Sequence, residues 1–378
     1  MPSTLTARDA QEPRIPADSL NAICPYWTMF PLDFPLAELA DASPGQWVLD
    51  PFCGRGTTLY AARKLGLSAV GIDSNPVAAA IAQAKLISPS PAQIEVLASE
   101  LLNAETDPDI PKGRFWELAY SEPVLRDLCR LREGLIGRTD SASAGLRAIL
   151  LGALHGPLNK GEATYFSNQM PRTYSTKPKG AIKFWEDRAM SPPSVDTLSV
   201  IRRHAQRRYA AVPKRTDGEV WSGDAIEVVR SLRRRFTWIV TSPPYPGMVT
   251  YRPDGWLREW LLGGPSAPNY DRTDQLGAFT GEQFVKRLAA VWTAIADRCH
   301  PAARLTIRFG ALPSYSSGSP SVLLLDSLER SERWGVLSCR DAGSPPGTGA
   351  RQADQLQAAG THVREVDVTA ALLDTSDV

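Results

Sequence analysis

Short apolar runs recur along the chain, each bounded by turn residues: Trp47-Val48-Leu49, Ala69-Val70-Gly71-Ile72 and Trp238-Ile239-Val240. They read as buried strands, and Arg304 to Phe309 reads as a further strand. Glu219-Val220-Trp221 is another candidate, and Gly335 to Cys339 with Val363 to Val368 would close the sheet. Helical patterns lie between them. Thr57 to Leu65 has good helix formers and stops at Gly66, a residue favoured just past a helix end. Asn75-Pro76 starts the next helix, with Asn as cap and Pro where its missing N–H costs nothing. A helix from about Thr280 to Ala296 precedes the Arg304 strand. Such alternation predicts an α/β fold with a parallel sheet and crossover helices.

The pattern breaks in the middle. Residues 92–104, 116–137, 143–155 and 195–210 read as helices, around a Lys/Pro/Ser-rich loop from Lys160 to Lys179. The expected organisation is therefore a loose tail over 1–20, a first half of the sheet domain over 21–86, and a mainly helical insertion over 87–215. The second half follows over 216–370, with a short tail over 371–378. The insertion interrupts one sheet rather than forming a free domain.

Composition narrows the class. A chain of 378 residues with 43% hydrophobic and 22% charged residues is ordinary for a soluble globular protein. The apolar stretch around Ala148 to Leu151 is cut by Arg147 and His155, short of the roughly 18 residues a membrane span needs. Met1 to Pro16 carries Asp9 and Glu12 and has no apolar core, so it does not read as a secretory signal. Five scattered cysteines without a Cys-x-x-Cys pair point to reduced thiols in a cytoplasm and away from zinc. The net charge of +1 is unevenly spread. Ten Lys/Arg against four Asp/Glu lie between Ile201 and Arg235, a local basic surface suited to phosphate contact or simply a solvated helix face.

Two loops carry the chemistry. Asp50-Pro51-Phe52-Cys53-Gly54-Arg55-Gly56-Thr57-Thr58 follows the first strand, and its glycines let the backbone turn sharply and a ligand approach. Asp73 ends the next strand, where an acidic residue typically bonds ribose hydroxyls. Phosphate-binding loops fit less well, because neither a third glycine in Gly-x-Gly-x-x-Gly spacing nor a Gly-Lys-Ser/Thr follows. The second loop, Thr241-Ser242-Pro243-Pro244-Tyr245, can hold a flat, amino-bearing base. An exocyclic amine is a poor nucleophile because its lone pair is delocalised into the ring. Acceptors aimed at its N–H groups make it more tetrahedral and stabilise the charge developing on nitrogen. Ser242 offers a side-chain oxygen, Pro243 a main-chain carbonyl, Pro244 a fixed φ, and Tyr245 a stacking face. Methylation at cytosine carbon 5 would need a Cys, usually after Pro, and no Pro-Cys dipeptide exists here.

Together these loops resemble those of the S-adenosylmethionine (SAM)-dependent amino-methyltransferases of DNA, over roughly 21–86 and 219–310. The resemblance implies a Rossmann-like class I SAM-dependent methyltransferase sheet, SAM as cofactor and DNA as substrate, with RNA as an alternative. Asp50, Phe52, Gly54, Gly56, Thr57, Asp73 and Asn75 would hold the cofactor. Pro25-Tyr26-Trp27-Thr28-Met29-Phe30 resembles the segment that closes over the methionine end, which adds Tyr26, although Tyr26 and Phe30 could equally be core aromatics. Asp224 is placed like the residue that bonds the adenine amino group. Target recognition would lie between the two halves. The serine version of the motif leans toward cytosine N4 and the aspartate version toward adenine N6. The family also implies a cytoplasmic enzyme of modification or defence, with a restriction partner where one exists. A catalytically silent nucleic-acid-binding subunit is the reading from another class.

In the insertion, Arg172, Lys177, Lys179 and Lys183 are interleaved with Tyr165, Phe166, Tyr174, Phe184 and Trp185, as suits phosphate contact and the gap left by an extruded base. The same aromatics could instead be the insertion's own core. Arg207 and Arg208 are further candidates for DNA contact. His155 ends an apolar helix and is expected to pack. Tyr251, Arg252, Trp256, Arg258 and Trp260 would line the base pocket or pack the sheet edge.

Overall fold

The computed structural model describes residues 18–26, 30–157, 163–171, 176–246, 254–270, 276–310, 319–342 and 365–374. Seven strands form one sheet: β1 Trp47–Asp50, β2 Ser68–Asp73, β3 Gly218–Ser222, β4 Phe236–Thr241, β5 Cys299–Gly310, β6 Trp334–Asp341 and β7 Glu365–Leu372. Their order is β3-β2-β1-β4-β5-β7-β6, parallel throughout except for β7, which runs antiparallel to both neighbours. This is the Rossmann-like class I methyltransferase sheet. Chain order reverses between β1 and β4, which pair directly with Val48 opposite Trp238 and Leu49 opposite Ile239. Crevices at such a reversal, beyond the carboxyl ends of the strands, are where open α/β sheets bind ligands.

The central strands are buried on both faces, as their unbroken apolar runs require. One face carries Leu49, Val70, Ile239, Leu305 and Ile307 and packs on the helix Gly281–Ala296. The other carries Val48, Ala69, Trp238 and Val240 and packs on the helix Thr57–Lys64.

Between β2 and β3 the chain forms the expected helices, with corrections. The expected 116–137 helix is two, Arg114–Ala119 and Glu122–Leu135. Tyr120 and Ser121 are extended between them, and Pro123 sits in the first turn of the second. A helix Pro178–Glu186 begins where a loop was expected, with proline in its first turn. The insertion shares one core with the segment Leu20–Tyr26, the helix Pro76–Gln83 and the helix Trp256–Leu261. Trp256 and Trp260 belong to that core rather than to the sheet edge. They stack among Phe115, Trp116 and the insertion helices. Tyr251 and Arg252 lie outside the described residues. The tails are also shorter than expected: Ser19 and Leu20 are buried, and β7 extends through Leu372.

Candidate active site

The loop after β1 is built around two acids, Asp50 buried and Asp73 half-buried. Asp50 ends the strand, and its Oδ1 accepts from the Thr241 hydroxyl at 2.7 Å and the Phe52 N–H at 3.2 Å. Burial pushes its carboxyl up to about 6, against the pull of the Thr58 and Thr241 hydroxyls and the Phe52 N–H. Thr241 directly precedes Ser242, so this one bond joins the two loops that the sequence singles out. Phe52 meets Trp292 edge-on below the loop, at 6.4 Å between ring centroids.

Asp73 links three loops. Its Oδ2 accepts from the Gly54 N–H at 2.9 Å, its Oδ1 from the Asn75 N–H at 2.8 Å, and its main-chain oxygen from the Gly223 N–H at 3.0 Å. Desolvation raises its carboxyl to about 6 despite the Asn75 and Gly54 donors. Asn75 caps the helix Pro76–Gln83 through Val77 N–H at 2.9 Å and donates from Nδ2 to the Tyr26 hydroxyl at 3.0 Å. Tyr26 is thus a core aromatic bonded to the residue that caps this helix. Asp224 is exposed, and its Oδ1 caps the helix Ala225–Ser231 through the N–H groups of Ile226 and Glu227.

The loop fits a closely approaching polar ligand. Gly54 and Gly56 hold φ of +50° and +78°, a conformation glycine adopts without strain. At Gly56 a Cβ would strike Ala82 at 2.8 Å, so the loop lies directly on the helix Pro76–Gln83. The Thr57 hydroxyl at the start of the helix Thr57–Lys64 is buried and has no hydrogen-bond partner. A bound group can satisfy it.

Sequence reasoning missed how the Tyr26 segment is held. Buried Arg55 reaches from the cofactor loop to the main-chain oxygens of Cys24 and Asn21. Lys85, fully buried, donates from Nζ to Asn21 Oδ1 at 2.7 Å. Burial and nearby Arg55 hold the Lys85 ammonium well below its ordinary range. Charged residues that turn inward to bond carbonyls look in a sequence like ordinary surface residues.

On the other side, Pro243 is buried while Ser242, Pro244 and Tyr245 are half-buried, at the carboxyl end of β4. Tyr245 stands perpendicular to Phe309, with centroids 5.7 Å apart, and its hydroxyl donates to Glu365 Oε1 at 2.7 Å. Glu365 was not legible as a site residue, since 120 positions separate it from Tyr245.

The basic candidates divide. Lys177 and Lys179 are exposed, and Lys177 lines a groove of about 360 Å³ with Lys183, Phe184 and Arg188. Arg207 is exposed, whereas Arg208 is half-buried and its guanidinium donates to the Ser19 main-chain oxygen at 2.7 Å. Arg172 and Tyr174 lie outside the described residues. His155 is buried, as expected of a packing residue, with its pKa well below the ordinary range through burial and nearby Arg258. Among the described residues no group of three or more His, Cys, Asp or Glu could hold a metal ion, and no helix is long and apolar enough to cross a membrane.

A family model described as DNA methylase, of the N6/N4 methyltransferases, matches residues 37–84, which hold the first loop and Asp73. The match bears out the resemblance to SAM-dependent amino-methyltransferases, and SAM is the cofactor that goes with it. No curated protein matches the chain. Among solved structures, the rRNA methyltransferase aviRa from Streptomyces viridochromogenes is 13% identical, with 95% of this chain and 91% of that chain covered and a TM-score of 0.33. The glycopeptide N-methyltransferase MtfA, solved with SAM, is 9% identical over 92% and 88% of the two chains, with a TM-score of 0.33. A structure described by the conversion of a disulfide bond into a thioacetal group in echinomycin biosynthesis is 12% identical over 95% and 89%, with a TM-score of 0.37. Likenesses this slight add nothing to the strand order.

Proposed function

We propose that the chain transfers a methyl group from SAM to the exocyclic amine of a base flipped out of DNA, cytosine N4 in keeping with the serine of its second loop. The observation that carries the reading is the adjacency of the two loops. They leave neighbouring parallel strands at the point where the sheet order reverses, joined by the Thr241–Asp50 hydrogen bond. A methyl donor on one and a base on the other would meet side by side.

Asp73, Asn75, Tyr26, Asp224 and the Asp50–Thr57 loop would hold SAM, with the ribose on Asp73 and the free Thr57 hydroxyl available to a polar group. When bound, SAM supplies a methyl group on a cationic sulfonium that leaves as a neutral thioether. Ser242 Oγ and the Pro243 carbonyl accept from the target amine and stabilise the positive charge developing on its nitrogen. Tyr245 stacks on the base and holds it out of the duplex. The exposed Lys177 and Lys179, with Arg172 and Arg207, would contact phosphate.

The test is incubation with labelled SAM and either DNA or RNA, followed by nucleoside mass analysis. N4-methylcytosine in DNA is the expected product. Adenine N6 methylation would move the target, and label in RNA alone would move the substrate. Ser242→Ala should slow turnover about a hundred- to a thousandfold while SAM affinity holds. Turnover of the variant at the wild-type rate would remove Ser242 from the chemistry.

A further inference from the structure

Tyr245 sits on a loop, half-exposed, and a tyrosine in that setting ordinarily samples several rotamers. Here contacts from the sheet restrict it. The ring meets Phe309 at 90°, and the hydroxyl donates to Glu365 at 2.7 Å. Both partners are fixed by the sheet rather than by the loop. Phe309 is fully buried near the end of β5, and Glu365 opens β7 opposite Gly310. The Glu365 main chain is pinned from the other side, where its carbonyl accepts from the Ala342 N–H at 2.9 Å. Next to it in the β5–β7 register, Arg308 holds both carboxylate oxygens of Asp367 at 2.7 Å and lies 3.9 Å over the Phe34 ring. The carboxylate therefore stands on a braced strand pair.

We propose that Glu365 is a positioning residue, which fixes the plane of the Tyr245 ring so that the stacking surface for the flipped base exists before the base arrives. The inference rests on the methyltransferase reading and adds a residue to it. A preorganised ring loses less freedom when the base is trapped, so base capture and turnover gain while SAM binding does not. On the ring, Glu365 acts through the Tyr245 hydroxyl. Removing either end of that bond should then do the same damage.

A double-mutant cycle on the full chain tests this. Tyr245→Phe keeps the ring and removes the hydroxyl; Glu365→Ala removes the acceptor. Each should lower kcat on duplex DNA about tenfold and reduce 2-aminopurine fluorescence at the target position, with SAM affinity unchanged. The double variant should be no slower than either single one, and Glu365→Gln, which keeps an acceptor oxygen, should recover most of the rate. Multiplying effects, or a Tyr245→Phe variant at the wild-type rate, would overturn the proposal, and the latter holds even where Glu365→Ala does not fold. A second arm needs no turnover. With 3-fluorotyrosine at position 245, the fluorine signal of the otherwise native protein should be displaced from that of the free amino acid, and in Glu365→Ala it should move toward it. If no nucleic acid is methylated, the functional reading falls and this arm alone decides: a native signal at the position of the free amino acid means that the ring is not held.

Discussion

Asp73 binds its loops with both carboxylate oxygens and is also the residue expected to receive ribose hydroxyls. That double duty gives it a pH dependence. Asp50 and Asp73 both titrate near 6 in the folded chain, against 3.8 for a solvated aspartate. The folded protein thus binds more protons than the unfolded one in this window. Their contribution to stability is full below about pH 4 and is lost as pH rises through 6. Ligand binding runs the other way. Ribose hydroxyls donate to the ionised carboxylate, so SAM should bind with constant affinity above about pH 6.5 and weaken up to tenfold per unit below 6. Calorimetry from pH 5 to 8 should show this fall, with proton release on binding at the acidic end. Asp73→Asn should flatten it. A flat native profile would take Asp73 away from the cofactor. The sequence places this acid at the end of its strand, as observed, because strand ends and glycine turns are local signals. Its bonds to Gly54, Asn75 and Gly223 are not local, and no spacing rule announces them.

At the scale of the element, the loop after β1 depends on two glycines for different reasons. Gly54 needs its positive φ, but nothing lies within 4 Å of where a Cβ would be. Gly56 needs its φ and also the absence of a side chain, since Ala82 backbone and Cβ atoms lie at 2.9 and 2.8 Å. Gly54→Ala should therefore cost about 1–2 kcal/mol of backbone strain. Gly56→Ala should cost about 1–3 kcal/mol more, because the helix Pro76–Gln83 must shift. Denaturant titration of the two variants checks the difference, and equal costs would mean that the loop is not seated on that helix. The glycines were legible as a turn; their inequality was not, because it depends on a helix from the next crossover. The helix Trp256–Leu261 is the converse case. Its tryptophans follow the Ser-Pro-Pro-Tyr loop closely in sequence and so read as pocket residues. Yet the Trp256 indole donates to the Thr176 main-chain oxygen at 2.8 Å, inside a core supplied by the insertion.

For the molecule as a whole, that shared core ties the insertion to the chain that follows the second loop. Thr176 is fastened to the chain beyond the second loop by the Trp256–Thr176 bond and by its own N–H to the Asp254 carbonyl at 3.3 Å. The groove beside it carries Lys177, Lys183 and Arg188 around Phe184, with Arg188 lying 4.0 Å over that ring. Charge on the helix Thr197–Tyr209 is spent differently. Arg202 pairs with Glu95 at 2.6 Å, Arg203 donates to the Ala163 carbonyl, and Arg208 holds Ser19, so Arg207 is left as its exposed candidate for phosphate. Counting basic residues along the chain favoured this helix because side-chain direction is invisible there. The two surfaces should therefore differ in the salt dependence of DNA binding. Each phosphate contact contributes about 0.9 to the slope of log affinity against log salt. Lys177→Glu with Lys179→Glu should reduce that slope by about two units, and Arg207→Glu by at most about one. Arg208→Glu should leave the slope unchanged while lowering the melting temperature, because its guanidinium serves the fold. Fluorescence anisotropy across a salt series measures all three. If the lysine pair leaves the slope as it was, the surface around Lys177 and Lys179 does not contact DNA.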